Sequence, residues 1–410
     1  MSGFFNVQPP DEALQTLLGN LDYRVDLEYV PALAALGRVL RDDVFATEDL
    51  PPFARSTMDG YSVRSADTFG ATEDMPAFIE VVGDVPMGTA QTVSLSPGEA
   101  ATAFTGGMLA GNADAVVMVE NTQVIGDSSI EVLRPVAPGE NVAQPGEDVI
   151  TGDAILPSGH VVRPQDIGGL LALGMTDIRV ARRPRVAIVS TGDELVPPGE
   201  TPGPGRIRDI NSYTISALVE RAGGVPERFG LIRDDLALQQ EAAQRGLDES
   251  DMLIFSAGSS VSSRDLTAEV IASLGSPGIL THGISFKPGK PTIVALVDGK
   301  PVFGLPGNPV SAAVVFDMLV RPAIYWIAGC AEPPSLPSVT ALLASDIPSL
   351  SGRQDVVQVR LAREGDKLTA EPVFGGSGLI FTLVQADGAI TVPMDRGGMY
   401  AGEQVQVRLY

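Results

Sequence analysis

The chain has 410 residues, 44% hydrophobic and 19% charged, a composition that supports roughly two to four folded domains and excludes disorder as the default. Its 51 acidic against 28 basic residues give a formal charge of −23, which excludes non-specific nucleic-acid binding because phosphate neutralisation needs a basic surface. One cysteine, Cys330, and two histidines, His160 and His282, exclude a disulfide framework and a Cys/His zinc site.

The opening MSGFFNVQPPDEA lacks a basic stretch followed by an apolar one, and no run approaches about 18 consecutive apolar residues. Neither secretion nor membrane insertion is expected, and the cytoplasm is. From Asp11 to Leu21 the apolar positions Ala13, Leu14, Leu17, Leu18 and Leu21 predict a short amphipathic helix. YVPALAALGRVL reads as a second helix, started by Pro31 and stopped near Gly37. Residues 46 to 145, with short runs such as FIEVVG and AVVMVE among many Gly, Pro and Thr, predict a β-rich unit. A linker-like stretch from VAPGENVAQPGED to VVRPQDI follows.

After ARRP, the apolar runs RVAIVSTG, DMLIFSAG and PVFGLPG each end in a small-residue loop and lead into a helical candidate: Asn211 to Ala222, Asp265 to Leu274, and Val310 to Ile327. That alternation predicts a mostly parallel sheet covered on both faces, with ligands at the carboxyl ends of its strands. Beyond Cys330, itself expected to be a small core hydrophobe, the cluster CAEPPSLPS marks a boundary. DVVQVRLA, AITVPM and EQVQVRLY then alternate as in a small β-barrel or sandwich.

Several loops carry candidate chemistry. GLPGNPVSA, Gly304 to Ala312, ends a strand and opens a helix, so first-turn amides around Gly307 and Asn308 could hold an anion, or the segment could be only a tight turn. STGDEL puts Asp193 and Glu194 at a sheet edge, as capping residues or as ligands. SAGSSVSSRD ends in Asp265, placed to cap the next helix or hold a metal. RSTMDGYSVR offers Asp59 before Gly60, which could equally be a hairpin turn, and FTGGMLAGNADAVV offers Thr105 before a Gly-Gly turn. ISFKPGKPTIV holds Lys287 and Lys290, two of only four lysines in the chain, three residues apart between prolines. Isolated cations are informative in so acidic a protein, because a local donor must overcome the global field to capture an anion.

In order and spacing, STMDGY, TGG, STGDEL, SVSSRD, KPGKP and GLPGNPVSA resemble the molybdopterin molybdenumtransferases, the family of MoeA and the gephyrin E domain, over nearly the full chain. The resemblance implies insertion of molybdate into adenylyl-molybdopterin, releasing AMP and the molybdenum cofactor, with a divalent cation such as Mg²⁺. It implies a multidomain α/β plus β fold. Residues 1–45 with 146–180 would form a helical and extended linker domain, 46–145 a β-rich inserted domain, 181–328 a MogA-like α/β domain with a mostly parallel sheet, and 329–410 a small β-barrel.

It also implies a homodimer whose active site lies between subunits, Asp59 and Thr105 coming from the partner, with Thr105 contacting the substrate. Glu194, Asp234 and Asp265 would serve on the α/β domain, Glu194 and Asp265 near the metal. Lys287, Lys290, Ser311, Arg353 and Ser377 would coordinate molybdate, beside Gly307 and Asn308. The adenylyltransferase and the acceptor molybdoenzymes are the implied protein partners.

A chemical reason supports the lysines. Molybdate is a compact tetrahedral dianion, better suited by movable ammonium groups than by a flat guanidinium fork, and Pro288 and Pro291 restrict the backbone between them. One departure stands out: Ala257 and Ser262 occupy positions where the family carries glycine, although Asp265 is retained. Two other functions of this fold stay open, a non-catalytic scaffold and the adenylyltransferase step. The flanking β-rich regions favour insertion over adenylylation.

Overall fold

The computed structural model describes residues 7–256 and 261–410, with side chains for all of these except residues 261–265 and 364. The chain divides into two units, one made of Met1–Asp42, Ser158–Pro164 and Asp177–Tyr410, the other of Asp43–Pro157 and Gln165–Thr176.

The first unit opens with helix α1 (Pro10–Gly19), which has proline at its start and Asp11 and Glu12 in the first turn, where the backbone N–H groups favour negative charge. Its apolar stripe, Ala13 and Leu17, is fully buried in the main core. The second expected helix is not formed. Leu27–Pro31 is a strand, β1, paired antiparallel with β2 (Asp177–Ala181) from Leu27↔Ala181 to Pro31↔Asp177, and only Ala32–Ala35 winds into a single 3₁₀ turn. A ladder to a strand some 150 positions away outweighs the local alanine and leucine propensity.

The central sheet contains β3 (Arg185–Thr191), β4 (Val225–Ile232), β5 (Met252–Ser256), β6 (Pro277–His282), β7 (Ile293–Val297) and β8 (Lys300–Leu305), in spatial order β4-β3-β5-β8-β7-β6. Every neighbouring pair is parallel except those made by β7, which runs antiparallel to both neighbours. The apolar runs are continuous because both faces are covered. Val186, Ile188, Met252, Ile254 and Phe303 join one core, whereas Ala187, Val189, Leu253, Phe255 and Val302 join the other, as the two-residue strand period requires. Helices α2 (Asn211–Arg221) and α5 (Pro309–Ala328) pack on the first face; α3 (Leu236–Glu249) and α4 (Val261–Ser273) pack on the second.

Helix α5 extends the expected Val310 to Ile327 by one residue at each end, but Phe316–Val320 forms a π turn within it. Pro322, which lacks an N–H and whose ring would clash with the carbonyl four residues earlier, gives the reason. Gly329, at φ +97°, ends the helix in the left-handed conformation. By length and hydropathy α5 could cross a membrane, but most of it is buried against the sheet.

The C-terminal strands β9 (Ser338–Leu343), β10 (Gln354–Glu364), β11 (Lys367–Pro372), β12 (Gly388–Val392) and β13 (Gln404–Leu409) form a closed barrel in ring order β9-β11-β10-β12-β13. Ala341, Leu343, Val359, Ala370, Ile390 and Val407 fill it. The second unit is β-rich as expected, built on a six-stranded sheet in the order Ala115–Met118, Gly60–Val63, Glu99–Ala103, Ala77–Asp84, Ser129–Val132 and Thr122–Ile125.

Candidate functional site

The KPGKP segment begins as a two-residue strand, Phe286–Lys287, laid parallel on Gln354–Asp355 of β10. It then turns back, closed by Ile284 N to Lys290 O at 2.9 Å and Thr292 Oγ1 to Gly289 O at 2.7 Å. Gly289 is required on two counts: its φ is +132°, and a Cβ there would lie 2.6 Å from Val315 and 2.7 Å from the buried Phe286 ring. The turn is thus pressed against α5 with both lysine side chains exposed.

Lys287 and Lys290 line a cleft of about 600 Å³ together with Asn308, Ser311, Arg353 and Ser377. Six of the residues expected to bind substrate therefore share one wall system, drawn from the lysine turn, the start of α5 and the barrel. Gly307 does not line this cleft. Neither ammonium group has a hydrogen bond or ion pair among the described residues, whereas Lys300 donates to Ser250 O at 2.9 Å and to Leu247 O. Arg353 differs from the lysines. Asp355, 5% exposed, holds its guanidinium through two bonds of 2.7 and 2.9 Å and raises its pKa. Asp355 was not singled out in the sequence, and it cancels much of the positive charge that Arg353 brings.

The start of α5 is less open to an anion than the sequence suggested. Pro309 has no N–H, and the Val310 amide donates to Ser377 O at 3.1 Å. Asn308 Nδ2 also donates to Ser377 Oγ at 2.8 Å, so the barrel loop is seated on this turn from both sides. Ser311 is buried, at 3% exposure, on the cleft wall.

A second cleft of about 250 Å³ lies beyond Asn308, at the carboxyl ends of β3, β5 and β8, where the strand order reverses. Thr191, Glu194, Asn211, Ser256, Gly307 and Asn308 line it. Asn211, also missed in the sequence, donates from Nδ2 to Gly307 O at 2.8 Å and to Ser256 Oγ at 3.1 Å, while its Oδ1 and the Thr191 hydroxyl are buried without a hydrogen-bond partner among the described residues. Orphaned buried polar atoms at a switch point suit a polar ligand.

A third cleft, about 620 Å³, shares Leu195 with the second and contains Asp193 and Asp234. Partial burial, then the negative charges of Asp193 and Glu194, hold the Asp234 carboxyl above its usual pKa. A cation would relieve that repulsion, and an all-oxygen donor set suits a hard ion such as Mg²⁺, which keeps several waters and needs few protein ligands. No group of three His, Cys, Asp or Glu side chains converges at metal-ligand spacing among the described residues. Asp265 falls within α4, but its side chain, like the Ala257 departure, lies outside the described residues.

In the second unit the structure pairs two residues from separate motifs. Asp59 Oδ1 accepts from both the amide of Thr105, at 2.8 Å, and its hydroxyl, at 3.0 Å, and these bonds hold the carboxyl below the usual range. The hairpin alternative for Asp59-Gly60 is excluded. Gly60 begins the strand Gly60–Val63, where a Cβ would lie 1.9 Å from Val117 O.

Known proteins match this arrangement along the whole chain. Residues 8–174 match the MoeA N-terminal region (domain I and II), 187–326 a probable molybdopterin binding domain, and 340–410 the MoeA C-terminal region (domain IV). Molybdopterin molybdenumtransferase 2 of Mycobacterium tuberculosis is 34% identical, covering 92% of this chain and 94% of its own length. The molybdopterin molybdenumtransferase of Bacillus subtilis is 32% identical over 98% and 94%. The crystal structure of the MoeA molybdopterin biosynthesis protein from Pyrococcus horikoshii OT3 superposes with a TM-score of 0.85 at 33% identity, covering 99% of this chain and all of that one.

Proposed function

The chain belongs to the MoeA family of molybdopterin molybdenumtransferases and is a transferase of molybdenum cofactor biosynthesis; from that premise we propose that it inserts molybdate into adenylyl-molybdopterin and releases AMP. The observation that carries this reading is the pair of lysines, Lys287 and Lys290, that have no partner among the described residues and lie on a cleft in a protein of charge −23. Each ammonium can donate to a different oxygen of a tetrahedral dianion. A volume of about 600 Å³ exceeds what molybdate alone needs and leaves room for an organic substrate beside it.

On this reading Lys287 and Lys290 hold molybdate, with Ser311, Ser377 and the uncommitted donors of Arg353 fixing its orientation. Glu194, Gly307 and Asn308 bound the adjoining cleft, which takes the adenylate. Glu194 and Asp265 would hold Mg²⁺, with Asp234 beside Glu194, and that ion would neutralise charge on the phosphoryl group. Asp59 orients the Thr105 amide and hydroxyl, and the pair serves the site of a second subunit in a homodimer. The reading keeps the protein in the cytoplasm, receiving substrate from an adenylyltransferase and passing product to molybdoenzymes.

The direct test is AMP release from adenylyl-molybdopterin on adding molybdate, compared with Lys290→Ala. We expect release by the native chain and strong loss in the variant. No release from either protein removes the enzymatic reading. Mixing inactive Asp59→Ala and Lys290→Ala proteins should restore part of the activity if each site is built from two chains, and failure to complement would contradict the shared site.

A further inference from the structure

Asn211 lines the switch-point cleft and holds the turn that this cleft shares with the lysine cleft, although it belongs to none of the motifs singled out in the sequence. It opens α2, is 8% exposed, and its Nδ2 donates to Gly307 O at 2.8 Å and Ser256 Oγ at 3.1 Å. The next residue after Gly307, Asn308, donates to Ser377 Oγ at 2.8 Å, and Ser377 O accepts from Val310 N at 3.1 Å. A run of hydrogen bonds thus joins the end of β5 to the barrel loop through the Pro306–Pro309 turn. That turn is a shared wall: Asn211 and Gly307 line the switch-point cleft, Ser377 lines the lysine cleft, and Asn308 lines both.

We propose that Asn211 is a positioning residue that couples the two clefts. By holding the Gly307 carbonyl it selects one conformation of the turn, and Asn308 transmits that choice to Ser377. A ligand that fixes the turn from one cleft leaves less conformational freedom to be lost when the other fills, so the two sites bind cooperatively. This rests on the reading that the switch-point cleft takes the nucleotide and the lysine cleft takes molybdate. The sign is diagnostic, because AMP and molybdate are both anions and repel through space, whereas the turn makes each favour the other.

Calorimetric titration of the full chain with molybdate, with and without saturating AMP, reads the coupling directly. The reverse titration must return the same factor. We expect AMP to tighten molybdate binding about fivefold or more. Asn211→Leu keeps the side-chain bulk while removing both donors, and should bring the factor to about one while molybdate alone, whose cleft Asn211 does not line, still binds within about threefold of native. Ser377→Ala, at the far end of the run and outside the nucleotide cleft, should abolish the cooperativity as well. A native factor at or below one, or a factor unchanged by Asn211→Leu, overturns the proposal. If neither ligand binds the native protein, the functional reading itself fails; if both bind independently, only the coupling does.

Discussion

Replacing Lys290 with methionine removes one of the two cleft lysines that have no partner among the described residues while leaving an apolar chain of similar length. At about 4 Å a unit charge attracts a dianion by about 2 kcal/mol in the high-dielectric limit appropriate to an exposed ammonium. Since about 1.4 kcal/mol is tenfold in affinity, the variant should bind molybdate about 30-fold more weakly. The double variant with Lys287→Met should lose about 4 kcal/mol if the two contributions add, close to a thousandfold. Arg353 cannot make up the difference, because Asp355 already occupies two of its donors at 2.7 and 2.9 Å. Calorimetry at fixed ionic strength measures the change, and added salt should weaken native binding more than variant binding because the lost interaction is coulombic and screened. If both single variants bind within about threefold of native, with melting temperatures unchanged, the lysines do not hold the oxyanion.

Gly60→Ala places a methyl group 1.9 Å from Val117 O in the ladder of the second unit, so it should cost about 3 kcal/mol or more in urea unfolding; a loss below about 1 kcal/mol would show that the strands part easily. Burial raises the Asp251 carboxyl, but Arg182 at 2.8 and 2.9 Å, the Tyr23 hydroxyl at 2.6 Å and the Arg185 amide at 2.7 Å outweigh it and hold its pKa low. Its stabilisation is therefore complete above the unfolded value of about 4 and is lost as pH falls through the lower folded value. Asp251→Asn should cost about 2–4 kcal/mol near neutrality, with the deficit shrinking below about pH 4; an equal deficit at both pH values would refute the assignment. Asp234→Asn should raise the melting temperature in metal-free buffer by removing repulsion from Asp193 and Glu194, and should reduce the increment that Mg²⁺ gives the native chain. An unchanged Mg²⁺ increment in the variant would separate Asp234 from the cation.

The parts legible in sequence were those whose signal is local or compositional. The runs RVAIVS and DMLIF announce buried strands because both faces of the sheet are covered, and two lysines out of four in one pentapeptide stand out against 24 arginines. The parts that escaped depend on distant partners. Leu27–Pro31 resembles the start of a helix until Asp177–Ala181 supplies its ladder. The Asp59-Gly60 turn dissolves once Val117 is brought against Gly60. Asn211 is an ordinary residue whose importance comes from Gly307, 96 positions away, whereas Asp355 escaped although its partner Arg353 is only two positions back, because Arg-Gln-Asp does not by itself announce a buried pair. The π turn in α5 had a local cause in Pro322, but a proline in a helical pattern reads equally as a kink or an end.

The pairing of Phe286–Lys287 with Gln354–Asp355 has an architectural consequence. One strand of the barrel doubles as a splint for the lysines, and the barrel's own loop braces the turn opposite them. Excising the last eighty residues would therefore dismantle the anion receptor instead of trimming an accessory. A chimera that borrows its barrel from a distant relative should fold yet lose its grip on molybdate unless the splint travels with it.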